Sequence, residues 1–306
     1  MITKGWGRLE TPVTGARPRT DTARVMLLLP ADPLRARRPD EHYADEAALA
    51  RELGLAVALV DHDALQSGDA ERAVERVPRG GGPALYRGWM LTSGQYGRFE
   101  DALHARSVSL VTGVEQFRAA HELPGWYPSL REVTPVTEWS TDDGRAGFDR
   151  ARLALGAGPA VLRDWTKSMK HYWAEAAFIP DLTDTDAAWK IASRFRELRD
   201  DSFTGGYVLR RFEDLAPAEV RTWWIGGACV LAGPHPDSPT ALPDTPLDPS
   251  VYACLIGALE LPFVTVDFAL RSDGVWRVME LGDGQVSDCP PALTPDLIHA
   301  LAAPSP

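Results

Sequence analysis

The chain has 306 residues, 44% of them apolar and 25% charged, a make-up that fits a folded protein of two or three lobes and excludes a disordered one. A formal net charge of −11 works against nucleic-acid binding by the surface at large, while leaving room for a local basic pocket for a nucleotide. No run approaches the roughly 18 apolar residues of a membrane helix, no secretion signal opens the chain, and Cys229, Cys254 and Cys289 lack CxxC spacing, so a cytoplasmic protein with reduced thiols and no zinc is expected.

Residues 1–22 are polar and read as a loose arm. Ala23–Pro30 is a nearly continuous apolar run of the buried-strand type, Asp40–Gly54 a helix stopped by Gly54, and Leu55–Asp61 a second buried strand. Strands over Pro83–Leu91 and Val108–Gly113, with a helix over Ser93–Ser107 between them, complete a small α/β lobe. The helix beginning at Val114 should end before Pro124. Gly158–Trp165 reads as a strand entering a basic segment, and Asp184–Asp201 as a helix. Two strands follow, with Gly226 and Gly227 turning a hairpin inside the second stretch. A Pro-rich loop then leads to a helix from about Pro249 to Leu261 and a last hairpin that turns at Asp273-Gly274.

That last hairpin carries the sharpest chemical signal. Asp267 and Glu280 each interrupt an apolar strand, at a separation that lets one strand run out and the next return, and Asp283 follows closely. Carboxylates in apolar strands are costly unless something pairs them, and Mg²⁺ takes such hard oxygen ligands. Taken alone, a pair of acids on the wet face of a two-sided hairpin is the commoner meaning of this pattern. Arg163, Lys167 and Lys170 offer the converging cations that a triphosphate needs, or else a solvated basic loop. In "YVLRRFEDL" a strand edge could meet adenine, Phe212 cover the ring, Glu213 hold the ribose and Arg211 point to the phosphates; an ordinary strand with one wet face fits as well.

Taken in order, the small α/β lobe, "TPVTEW" (Thr134–Trp139), the basic strand, "VLRRFEDL", "EVRTWWIGG" and "VTVDFAL…VMELGDG" resemble the ATP-grasp superfamily over roughly residues 80–290. The "RGWML" and "ELGDGQ" segments are most similar to its bacterial branch named for one arginine and two lysines. The resemblance implies an α/β (α+β) fold, with a small Rossmann-like lobe (1–113) followed by two ATP-grasp subdomains (114–207 and 208–306) that sandwich ATP. By the same analogy Asp267 and Glu280 would hold Mg²⁺. The family usually has Asn where Gly282 stands, so the third contact passes to Asp283. Arg163 stands where a lysine is usual. Lys167 and Lys170 would lie over the phosphates, in place of the usual glycine-rich loop, and Arg221 would steady the transferred phosphate. Arg87, Gln285 and Ser287 are candidate substrate contacts, with structural roles open for each.

The activity implied is ATP-dependent ligation through an acyl-phosphate, joining a small-molecule or peptide carboxylate to an amine, with ATP and Mg²⁺ required and ADP and phosphate released. A kinase on the same fold and a nucleotide-binding regulator without turnover are the alternatives. No protein nucleophile is required, in keeping with the lack of a GxSxG or Cys–His signature. No nucleic-acid or membrane partner is expected, and a homodimer is left open.

Overall fold

The apolar run after Ala23 forms β1 (Met26–Asp32) in the computed structural model, which describes residues 25–303. The arm expected over residues 1–22 lies outside the described residues. β2 (Arg35–Pro39) folds back antiparallel on β1. Asp40 then accepts the His42 amide and starts a 3-10 turn that leads into α1 (Ala44–Glu52). Gly54 closes that helix at φ 76°, a conformation that favours glycine. β3 (Val57–Val60) pairs parallel with β1, and α2 (His62–Ser67) and α3 (Ala70–Ala73) lead to β4 (Gly82–Tyr86). α4 (Ser93–His104) opens on a reciprocal Thr92–Gln95 capping box and delivers the chain to β5 (Val108–Leu110). The result is a parallel sheet in the order β3-β1-β4-β5.

The unbroken apolar run of β1 follows from burial on both faces. Met26 and Leu28 enter a core with Tyr86, Tyr96, Phe99 and Phe117. Leu27 and Leu29, pointing the other way, pack with Trp223, Phe263, Leu297 and Ile298.

The chain divides into two compact units. The first takes the described residues up to Ala120, Ala218–Asp267 and the described residues from Glu280; the second takes His121–Pro217 and Phe268–Met279. α5 (Val114–His121) ends as expected, but α6 (Leu123–Leu130) starts at once, with Pro124 in its first turn. Proline stops a helix interior but suits a helix start, where its missing N–H has no intrahelical partner to lose.

In the second unit β6 (Thr137–Trp139), α7 (Arg145–Leu155), β7 (Ala160–Asp164), β8 (Phe178–Ile179), α8 (Thr185–Arg199) and β9 (Tyr207–Arg211) form a four-stranded sheet, order β6-β9-β7-β8, beside two helices. Phe148, Leu162, Phe195, Tyr207 and Leu209 lie in its core.

β10 (Leu215–Ile225) and β11 (Ala228–Pro234) form the expected hairpin around Gly226 and Gly227, both at positive φ as a tight two-residue turn requires. The helix expected over Pro249–Leu261 is shorter: a 3-10 turn, then α9 (Ala253–Gly257). β12 (Phe263–Arg271), β13 (Trp276–Asp283) and α10 (Thr294–Ala302) complete the described chain, and the last sheet runs β11-β10-β12-β13. No helix among the described residues is long and apolar enough to cross a membrane.

Candidate functional site

Neighbouring strands of the first unit, and the residue that follows one of them, bring polar groups to a shared face. Glu219 and Arg221 stand two residues apart on β10, so both point the same way. His235 follows β11, its amide donating to the Glu219 carbonyl at 3.1 Å. Asp267 lies on β12, where Arg221 grips it with both arms of its guanidinium, at 2.7 and 2.8 Å. His235 Nε2 is 2.8 Å from Arg221 Nη2 and 3.4 Å from Asp267 Oδ2. Glu219, His235 and Asp267 each bring a ligand-type atom within 4.8 Å of the others.

Glu280 joins them from β13. A β-carbon on Gly282 would sit 3.0 Å from Thr265 Oγ1, so these two residues face each other across the hairpin. Two steps back along β13 and two forward along β12 place Glu280 opposite Asp267, on the same face. Its charge, with that of Asp267, raises the Arg221 guanidinium further above its ordinary range, against the opposing effect of burial. Burial alone would raise the Asp267 carboxyl, but the hydrogen bonds and charges of Arg221 and His235 outweigh it and take the group down to about 2. The face thus holds carboxylate oxygens and an imidazole, of which those of Glu219, His235 and Asp267 lie at mutual distances that fit a divalent cation, beside a guanidinium suited to phosphate.

Asp283 is placed elsewhere. It points away from the Glu280 side of β13, is 1% exposed, caps the 3-10 turn at Gly284–Val286 through the Gln285 amide, and leaves Oδ2 without a hydrogen bond. Burial raises its carboxyl from 3.8 to about 7, only partly offset by hydrogen bonds from Gln285 and the charge of Arg87. The folded chain therefore keeps a proton that the unfolded chain has released between about pH 4 and about pH 7, so stability falls as pH rises through that window. Asp283→Asn is expected to flatten this dependence; urea melts at about pH 5 and about pH 8 check it, and an unchanged slope would exclude Asp283 as the group responsible.

Arg87, 1% exposed, is committed to the scaffold. It pairs with Glu46 at 2.6 and 3.0 Å and donates to the carbonyls of Gly284 and Ser287 at 2.7 and 2.8 Å. Gln285 is fully buried between the Tyr86 amide and the Tyr96 hydroxyl. Ser287 does reach the polar face: its hydroxyl is 2.7 Å from that of Thr265.

In the second unit, Arg163 is buried and donates to the carbonyls of Asp164 and Thr166. Asp164, fully buried, shapes the basic segment: it accepts the amides of Thr166 and Lys167, each at 2.7 Å, and pairs with Arg199 at 2.8 Å. Lys167 and Lys170 are exposed on this turn, which continues as a 3-10 turn and a π-helical turn. Phe212 is exposed and lies edge-on to Phe178, on which Trp173 stacks at 5.3 Å. Arg211 turns to the carbonyls of Leu155 and Ala157 at the end of α7, where a cation is favoured. Glu213 is held by both arms of Arg277, at 2.9 Å each.

Glu219, His235 and Asp164 escape a reading of the sequence. His235 sits in a Pro-rich loop with no motif around it, and Glu219 is one acid among many. Asp164 does carry a faint signal, an Asp two residues before Thr in a strand-to-turn junction, where its side chain can bind the amides ahead.

Residues 154–301 match the model of an ATP-grasp domain, the third family of the clade named for one arginine and two lysines. No curated protein matches the sequence. Among solved structures, the chain is similar to a RimK domain protein ATP-grasp from Sphaerobacter thermophilus DSM 20745, at TM-score 0.55 and 16% identity over 91% of this chain and 99% of that one. It is also similar to the ATP-grasp ligase PsnB complexed with minimal precursor, Mg and ADP (0.54; 12%; 94% and 98%). A third is D-cycloserine synthetase DcsG (0.53; 17%; 90% and 99%).

Proposed function

Given that residues 154–301 belong to the ATP-grasp domains of the clade named for one arginine and two lysines, and that the chain has the ATP-grasp fold, we propose that the protein is an ATP-dependent carboxylate–amine ligase. The observation that carries this reading is the convergence of Asp267, Glu280 and Arg221 on one face of β10, β12 and β13. Asp267 and Glu280 would hold Mg²⁺, which supplies neutralisation of phosphate charge when bound. Lys167 and Lys170, exposed on the turn that Asp164 shapes, are the cations assigned to the phosphates, and the aromatic cluster at Phe212 the surface assigned to the base. The substrate carboxylate attacks the γ-phosphate, giving an acyl-phosphate and ADP; an amine then displaces phosphate. Arg221 exchanges its bond to Asp267 for the transferred phosphate, a change that the planar fork of arginine permits. Positioning and charge complementarity suffice for both steps, so no protein nucleophile is invoked.

An ADP-release screen of carboxylates crossed with amines tests the reading. ADP and phosphate released only when both are present supports ligation. Release with an acceptor but no free phosphate points to a kinase, and the absence of release with every pair tried counts against turnover.

A further inference from the structure

A cavity of about 570 Å³ opens in the first unit between one face of α1 and the segment leading into α10. Asp45, Ala48, Leu49 and Glu52, three, four and seven residues along α1, share that face. The opposite wall is built from Pro236 and Pro239, next to His235, and from Asp288 through Pro291. Asp45, Glu46, Glu52 and Asp288 line the space, and among the described residues no Lys or Arg does. Glu46 is neutralised by Arg87, which leaves Asp45, Glu52 and Asp288 to set the sign of the field.

In the wall of this cavity His42 Nε2 lies 2.8 Å from Asp288 Oδ1. The backbone at His42 is held by its amide, which donates to Asp40, and the imidazole packs on Trp89 with ring centres 4.6 Å apart. In the neutral tautomer that donates Nε2–H to this carboxylate, Nδ1 is the ring's acceptor. Asp288 also touches the polar face described above, since its carbonyl accepts from Arg221 Nη1 at 3.4 Å. One member of the dyad, Asp288, therefore touches through its backbone the guanidinium assigned to the transferred phosphate. His42 and Asp288 are both about half exposed, so their ion pair contributes little stability, and its interest is chemical.

We infer that this cavity is the site of the amine substrate, taken up as its ammonium form, and that the His42–Asp288 dyad removes a proton from it. This rests on the ligase reading for its second half only. One proton passes from the ammonium to His42 Nδ1, and Asp288 stabilises the imidazolium. The freed nitrogen lone pair forms the C–N bond as the C–O bond to phosphate breaks. The phosphate leaves with that electron pair and carries off the second N–H proton; the imidazolium returns its own to solvent.

Two measurements test this on the full chain. The first is calorimetric titration with 1,4-diaminobutane, and with 1-butanol as the uncharged control. The diamine should bind and butanol should not, and the Asp45→Asn/Glu52→Gln double variant should bind the diamine about tenfold more weakly. Equal affinity in that variant, or no binding at all, overturns the amine site. The second compares amine-dependent ADP release with release driven by hydroxylamine, a nucleophile uncharged at neutral pH that has no proton to lose before attack. His42→Asn should lower the amine-dependent rate by about a hundredfold or more while leaving the hydroxylamine-driven rate near that of the unaltered chain. Equal loss of both rates would show that His42 acts only on structure and overturn the proton-transfer role. Failure of the unaltered chain to release ADP with any acceptor would sink the ligase reading and the proton-transfer role with it, and the titration would still decide the amine site.

Discussion

Alanine in place of Glu280 should give a folded protein whose ADP release is lower by about a thousandfold, since losing several kcal/mol of charge stabilisation at the phosphates costs about that much in rate. The same variant should lose Mg²⁺-dependent ADP binding in a calorimetric titration. The fold should survive because Glu280 is only half-buried and because Arg221 keeps Asp267 as its partner. Release and thermal melting measured together decide the matter. Undiminished release would end the metal assignment, and a collapsed melt would mark Glu280 as a structural residue.

The largest effect on stability should come from Arg87→Met. It strands Glu46, 6% exposed, without its cation, and removes the donor from the carbonyls of Gly284 and Ser287. Breaking a buried pair from one side costs about 3–5 kcal/mol, whereas replacing both partners with apolar groups of similar shape is often close to neutral. Arg87→Met/Glu46→Leu should therefore recover much of the loss in a urea titration, with an m-value near that of the unaltered chain. The double variant also separates two roles for Arg87. If its KM for the carboxylate is unchanged, the residue serves the scaffold; if KM rises steeply while stability returns, the residue also binds substrate.

The parts of the fold that are legible in the sequence are those whose signal is local. The run at Met26–Ala31 announces a strand buried on both faces, Gly226-Gly227 a tight turn, and Asp273-Gly274 the last hairpin. Pro124 misleads because the same residue stops one helix and starts the next, depending on a turn of register. The shortened helix at Ala253–Gly257 has no local signal to separate it from a longer one.

Side-chain partners are less legible than elements. Asp267 and Glu280 are visible because carboxylates stand out in apolar strands, and their spacing matches one strand, a turn and a return. Arg87 and Gln285 are candidate substrate contacts by their place in the "RGWML" strand and just beyond the last hairpin, and their bonds go to Glu46, to carbonyls and to Tyr96, partners far away in sequence. Arg211 and Glu213 are drawn likewise to the end of α7 and to Arg277. His235 and His42 lack any motif, because what gives them meaning is a carboxylate brought up by another strand or loop.

The two-sided burial of β1 has a consequence for biosynthesis. Leu27 and Leu29 share one hydrophobic core with Leu297 and Ile298 of α10, which leaves the ribosome long after them. Until then the sheet carries an open greasy flank, a natural target for a holding chaperone, and the first unit closes only when both ends of the described chain have met. A nascent polypeptide arrested before Thr294 should stay bound to such a chaperone, and release should coincide with the arrival of that final helix.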